Sequence, residues 1–260
     1  MEVVASAGQQ PVSLESGRKL RKIPSGDTVG KVVQSFNTWA FKREQPSDIA
    51  LLTQFVGRAV TREQPVSFVF YWGKGPRSEV EHFDTQCMDY LGSLAARVKA
   101  AYPKGAAINL VLTDTHAKHN GHPAQLITQY YTAVEAEAAK RGFECHMLSK
   151  LTEMAGRGLA VDGEEPSQDI LETLYRSAER WYRGGASTLE GARQYYAMNM
   201  IERRVIEHFF PTSIFATFNG SESRALFPDK LPIFYMYSIK RGTSVKPWFL
   251  PAPIPEKLAS

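Results

Sequence analysis

Three short segments carry the side chains best suited to chemistry, and each directly follows an apolar, strand-like run. The first is Trp72-Gly73-Lys74-Gly75-Pro76-Arg77. Its two glycines allow a tight turn and close approach of backbone to a ligand. Lys74 and Arg77 suit an anionic group such as a carboxylate or phosphate. The same segment also reads as a plain strand-to-helix turn. It is no dinucleotide or phosphate-loop fingerprint, because the third glycine and a Gly-Lys-Ser/Thr step are absent. The second is Thr113-Asp114-Thr115-His116-Ala117-Lys118-His119-Asn120-Gly121-His122-Pro123, with three of the six histidines. A metal site from Asp114, His116, His119 and His122 is the weaker reading, since Asn-Gly-His-Pro signals a turn and not a continuing helix. The expectation is no metal. Asp114 suits a substrate ammonium or hydroxyl, or it caps the turn. The third is Asn219-Gly220-Ser221-Glu222-Ser223-Arg224, whose amide and hydroxyls can orient an amino-acid head group or form an Asn-Gly turn.

A fourth candidate lies on a helix. Tyr195 and Tyr196 are neighbours, about 100° apart around the axis, so at most one faces a site while the other packs. A tyrosine face can hold an ammonium or sulfonium cation. Tyr237, Ser238 and Lys240 form a fifth group, with Lys240 either a carboxylate ligand or merely exposed. Cys87 falls on the apolar face of a helix and reads as a structural thiol. No Gly-x-Ser-x-Gly elbow occurs, which leaves a hydrolase triad without support.

These segments need a scaffold, and the apolar pattern supplies one. Val66–Tyr71 (VSFVFY), Ala107–Leu112 (AINLVL), Phe143–Leu148, Ser213–Phe218 (SIFATF) and Ile233–Ile239 read as strands. Near-continuous apolar runs suit strands covered on both faces. Helices are expected over about 84–101, 124–141, 167–183 and 188–209, with Gly142 as a left-handed stop and Pro211 as a terminator. Strand–helix alternation predicts an α/β fold with a doubly wound, mainly parallel sheet, Rossmann-like. Ligands then bind beyond the carboxyl ends of strands, which nominates the segments after residues 71, 112, 148 and 218. Two amphipathic helices precede the first strand, the second with Ser47 as its cap, and they can serve as packing or as an N-terminal helical lid. The expected organisation is a flexible tail over 1–26, the N-terminal helices over 27–63, and an α/β catalytic domain over 64–260.

The chain has 260 residues, 43% hydrophobic, 22% charged and 11% aromatic. That is enough apolar surface to offset the entropy of ordering. No stretch of about 18 uncharged apolar residues exists, so no transmembrane helix is expected, and Met1 to Gln10 lacks the pattern of a secretory leader. Two cysteines, Cys87 and Cys145, support neither a disulfide framework nor a four-cysteine zinc site, and point to a reducing cytoplasm. The net charge of +4 is too diffuse for a nucleic-acid surface. Gly17 to Lys22 (GRKLRK) reads as a solvated tail. The residues alone predict a small-molecule ligand, with a homodimer left open.

Two resemblances sharpen this. The GKGPR loop, the Tyr102–Ala106 turn, Thr113-Asp114 and Asn120–Pro123 resemble, over about residues 65 to 150, the isocyanide synthase family of pyoverdine-cluster and dityrosine-pathway enzymes. That resemblance implies an aromatic amino acid and a sugar phosphate as substrates, with Lys74 and Arg77 meeting the phosphate. The length, the leading helices, the Tyr195-Tyr196 pair and the Asn219–Ser223 loop resemble a second group. These are methyltransferase-like enzymes that cyclise S-adenosylmethionine to azetidine-2-carboxylate beside nonribosomal peptide synthetases. It implies S-adenosylmethionine as the substrate and methylthioadenosine as the leaving product. Tyr195 or Tyr196 would hold the sulfonium, with Asn219, Ser221 and Ser223 on the amino-acid portion. Trp72, Gly73, Lys74 and Gly75, with Asp114 and Thr115, would hold adenosine or the carboxylate. The cyclase reading is the one expected first. Isocyanide synthesis, an ordinary methyltransferase and a non-catalytic nucleotide-metabolite binding module stand as alternatives.

Overall fold

The computed structural model describes residues 26–73, 75–156 and 165–237. Residues 1–25 of the tail expected over 1–26, with the basic run from Gly17 to Lys22, lie outside the described residues, as do Lys74 and Ser238 to Lys240, and Gly26 instead opens α1. The elements run α1 (Gly26–Phe36), α2 (Ile49–Thr61), β1 (Val66–Trp72), α3 (His82–Ala101), β2 (Ala106–Leu112), α4 (Asp114–His119), α5 (Ala124–Ala139), β3 (Glu144–Met147), α6 (Leu148–Ala155), α7 (Gln168–Trp181), α8 (Thr188–Phe209), β4 (Ile214–Thr217) and β5 (Ile233–Tyr235). A 3₁₀ turn, Ser221–Leu226, joins the last two strands. All five strands are parallel, in the order β3-β2-β1-β4-β5. This is the Rossmann-like, doubly wound sheet that the alternation predicts.

Apolar runs become central strands because both faces are covered. Phe68 and Phe70 alternate with Val69 and Tyr71 along β1. On one face the Phe36 ring of α1 meets Phe68 edge-on at 5.2 Å. On the other, Tyr71 meets Phe215 edge-on at 5.2 Å and the His116 ring of α4 at 6.2 Å. The one polar residue inside β2, Asn109, is tolerated because its amide donates to Phe68 O and Ser67 Oγ.

The N-terminal helices belong to the core. Val32, Phe36, Leu52 and Val56 are fully buried in the same apolar cluster as the strands. Phe36 also meets Phe234 of β5 edge-on at 5.4 Å. None of α1 or α2 lines the cavities described below, so the expected lid is a packing layer, and the cover falls to α7 and α8. The cap of α2 is Asp48, whose carboxylate accepts from Leu51 N, and not Ser47. Ser47 instead exchanges hydrogen bonds with the Ile233 backbone. Together with the Lys42–Met236 bridge, this closes the open edge at β5. Two short helices escape the periodicity argument, α4 and α6. Both follow a strand with at most one residue between and are too short to show an apolar stripe. Phe36→Ala is expected to cost about 3–5 kcal/mol in urea unfolding, because it leaves a cavity between α1 and two strands. A cost under about 1 kcal/mol would mean α1 is a loose cover.

Candidate functional site

β1 sits between β2 and β4, and the chain leaves it towards one neighbour and then the other. This switch point opens a crevice at the carboxyl ends of the strands. Two adjoining cavities lie there. An outer one of about 610 Å³ is lined by Gly73, Gly75, Arg77, His119, His122 and Tyr182, among others. An inner one of about 290 Å³ is lined by Tyr71, Trp72, Cys87, Thr217, Phe218 and Phe227, among others. Both share Gly73, Thr113, His116, Tyr195 and Asn219, which form the neck between them. Three of the four nominated loops therefore meet. The segment after residue 148 does not, because β3 runs straight into α6.

The strand ends are locked before the site begins. Thr113 Oγ1 donates to Trp72 O at 3.1 Å, tying β2 to β1. α4 then starts at Asp114 and presents Thr115 and His116 towards α8. There Glu202 is 2% exposed. Thr115 Oγ1 donates to its Oε1 at 2.6 Å, and His116 Nε2 lies 2.5 Å from its Oε2. The Tyr195 hydroxyl lies 3.4 Å from His116 Nδ1, with the rings edge-on at 5.0 Å. Burial, helped by the Glu202 charge, pushes the Tyr195 phenol up to about 12. The same two causes raise Tyr71, whose hydroxyl is shut off from solvent without a hydrogen-bond partner. Both phenols are therefore protonated at neutral pH.

Tyr195, Asn199 and Glu202 stand at i, i+4 and i+7 on α8, one face of a helix. Asn199 Nδ2 donates to Tyr195 O at 2.7 Å. This polar stripe was the sequence signal for Glu202, which the motif reading missed along with Tyr71 and Tyr182.

A second seam closes the outer cavity. His119 Nε2 lies 3.0 Å from Gly191 O, and Arg183 N donates to Asn120 O. Gly121 has φ +83°, and a Cβ there would stand 2.8 Å from Arg183 O. The Tyr182 ring packs on His119 at 5.0 Å between centroids. Desolvation lowers the His119 pKa, against a smaller raising effect from the Gly191 carbonyl.

The other expected residues are placed as follows. Gly73, Gly75, Trp72 and Asn219 line the cavities. Tyr196 does not: it is 7% exposed and packs with Leu174, Ala192 and Met200 in a separate cluster under α7. Ser221 turns away and donates to Glu44 Oε2 at 2.7 Å. Ser223 lies in the 3₁₀ turn and lines neither cavity. Asp114 Oδ1 accepts from Ser149 N, capping α6, and Asp114 lines neither cavity. Thr115 serves Glu202. Arg77 reaches the outer cavity, but its guanidinium lies 3.3 Å from the buried Asp84 and 3.4 Å from Glu81. Two carboxylates therefore already neutralise the cation expected to meet an anion. Among the described residues, no group of three or more His, Cys, Asp and Glu is placed to hold a metal ion.

A Rossmann-like α/β protein with a two-chambered crevice at its switch point is thus defined. No protein-family model matches the chain, and no curated protein matches it in sequence. Its fold is similar to that of PvcA from Pseudomonas aeruginosa, with a TM-score of 0.59, 16% identity, and 85% of this chain and 87% of that chain covered. It also superposes on tyrosyl-tRNA synthetase from Archaeoglobus fulgidus in complex with L-tyrosine, with a TM-score of 0.46, 13% identity, and 86% and 69% of the two chains covered. Among the described residues no helix is long and apolar enough to cross a membrane.

His119 gives the site a pH dependence. Its folded pKa lies below the unfolded value of 6.5. The folded state therefore resists a proton that the unfolded chain accepts. The stability tied to neutral His119 is full above that pH and fades as the pH falls below it. Urea unfolding at about pH 7.5 and about 5.5 is expected to show a smaller loss of stability in His119→Gln than in the parent. Equal losses would contradict this.

Proposed function

We propose that the protein is an enzyme of the isocyanide synthase type, joining an aromatic amino acid and a pentulose phosphate at the neck between the two cavities. The observation that carries this reading is a pair of adjoining chambers that share His116 and Tyr195 at their junction. Trp72, Phe218 and Phe227 give the inner chamber an aromatic wall suited to a ring. Gly73, Gly75, His122 and Asn219 line the outer chamber, where the His122 ring and the Asn219 amide are polar groups suited to a polyoxygenated partner. Two ligands meeting at one point is the geometry a joining reaction needs. The resemblance over residues 65 to 150 and the likeness in fold to PvcA favour the same reading. The S-adenosylmethionine cyclase reading keeps Tyr195 and Asn219 on the cavity but loses Tyr196, Ser221 and Ser223 as ligand holders.

The test is incubation of the purified protein with L-tyrosine or L-tryptophan and a pentulose phosphate, followed by mass spectrometry. The expected product is an amino acid that has gained one carbon and lost two hydrogens at nitrogen. Unchanged amino acids would overturn the proposal. Formation of methylthioadenosine and azetidine-2-carboxylate from S-adenosylmethionine alone would replace it with the cyclase reading.

A further inference from the structure

We infer that Glu202, His116 and Tyr195 form a directed proton relay, in which the Tyr195 oxygen takes a proton from a substrate ammonium while its own proton passes to Nδ1 of His116. Glu202 fixes the direction. Its carboxylate is 2% exposed and uses both oxygens, one for the Thr115 hydroxyl and one for His116 Nε2. An ionised carboxylate can only accept hydrogen bonds. His116 Nε2 must then carry the hydrogen, so the neutral form of the ring leaves Nδ1 bare. The group beside Nδ1 is the Tyr195 hydroxyl at 3.4 Å, which can donate to it. Tyr195 alone is a weak base, because burial keeps it protonated. It becomes a competent proton acceptor only when its own proton has somewhere to go, which His116 provides.

The substrate class follows from what surrounds the neck. Among the described residues, the two cavities are lined by no Asp or Glu. An ammonium held there has no carboxylate to pair with, so desolvation favours its deprotonated form. The step balances. The ammonium N–H bond breaks and a Tyr195 O–H bond forms, while the old Tyr195 O–H bond breaks and an Nδ1–H bond forms. The positive charge moves from the ligand to His116, where the Glu202 carboxylate lies 2.5 Å away. The ligand is left as a free amine, the nucleophile a joining reaction requires. Tyr71, on the other side of His116, is not part of this path, because its hydroxyl makes no hydrogen bond. Glu202 acts through His116 and is a positioning residue. The ammonium step rests on the proposal that the substrate is an amino acid, whereas the polarity of the relay does not.

The test is long-range ¹H–¹⁵N correlation of the histidine rings in ¹⁵N-labelled protein, with His116 assigned by His116→Gln. The free protein is expected to show Nε2 protonated and Nδ1 bare at neutral pH, and Glu202→Gln to mix the two tautomers. Saturating L-tyrosine, or tyramine as an amine without a carboxylate, is expected to move Nδ1 towards its protonated shift in the parent and not in Tyr195→Phe. A protonated Nδ1 in the free protein overturns the relay. No movement with either amine overturns the ammonium step. Where the coupled assay with pentulose phosphate gives product, Tyr195→Phe is expected to slow kcat roughly 10²–10⁴-fold, and a kcat within twofold of the parent overturns the assignment. Absence of product with an intact Nδ1 response would count against the isocyanide reading and not against the relay.

Discussion

A buried carboxylate between two helices organises the crevice. Glu202 is taken out of water on α8 and is compensated by groups from α4, the Thr115 hydroxyl and the His116 ring. Removing a charge from water costs several kcal/mol, and the cost is recovered only when donors are well placed. α4 must therefore sit where it does. It can do so because it is fastened to the end of β2, which Thr113 ties to the end of β1. The path from sheet to site thus passes through one short helix. The residues that meet the cavity from that helix are set by hydrogen bonds and not by loop flexibility.

The layers around this contact have separate tasks. The N-terminal helices complete the apolar core under β1 and β5. α7 packs with the first half of α8 in a smaller cluster of its own, around Leu174, Tyr196 and Met200. That cluster forms the outer wall of the crevice, and the seam of His119, Gly121, Arg183 and Gly191 joins the wall to α4. Gly121 is needed there because its φ is left-handed and the Arg183 carbonyl leaves no room for a side chain.

The fold was largely legible in the sequence because buried parallel strands are unusually plain signals. Five runs of apolar and β-branched residues, spaced by amphipathic helices, admit few arrangements. The loops after residues 71, 112 and 218 follow from the same rule, since switch-point crevices lie beyond strand ends. The individual side chains were less legible. Asp114 and Ser221 look like ligand holders by type, yet one caps α6 and the other meets Glu44, contacts that only the assembled fold brings together. Arg77 looks like an anion receptor until Asp84 and Glu81 are seen beside it. Glu202 looked like one more charge on a long helix. Its importance comes from burial, and its i+7 spacing from Tyr195 was the sole local hint.

The central claim is that Glu202 and His116 act as one unit. A double-mutant cycle measures this directly, using Glu202→Gln, His116→Gln and the double variant in urea unfolding. Hydrogen bonds to charged groups contribute about 1.5–3 kcal/mol, and a coupling energy in that range is the predicted result. Effects that add to within about 0.5 kcal/mol would mean the contact does not hold α4 against α8, and the account of the crevice would fail with it.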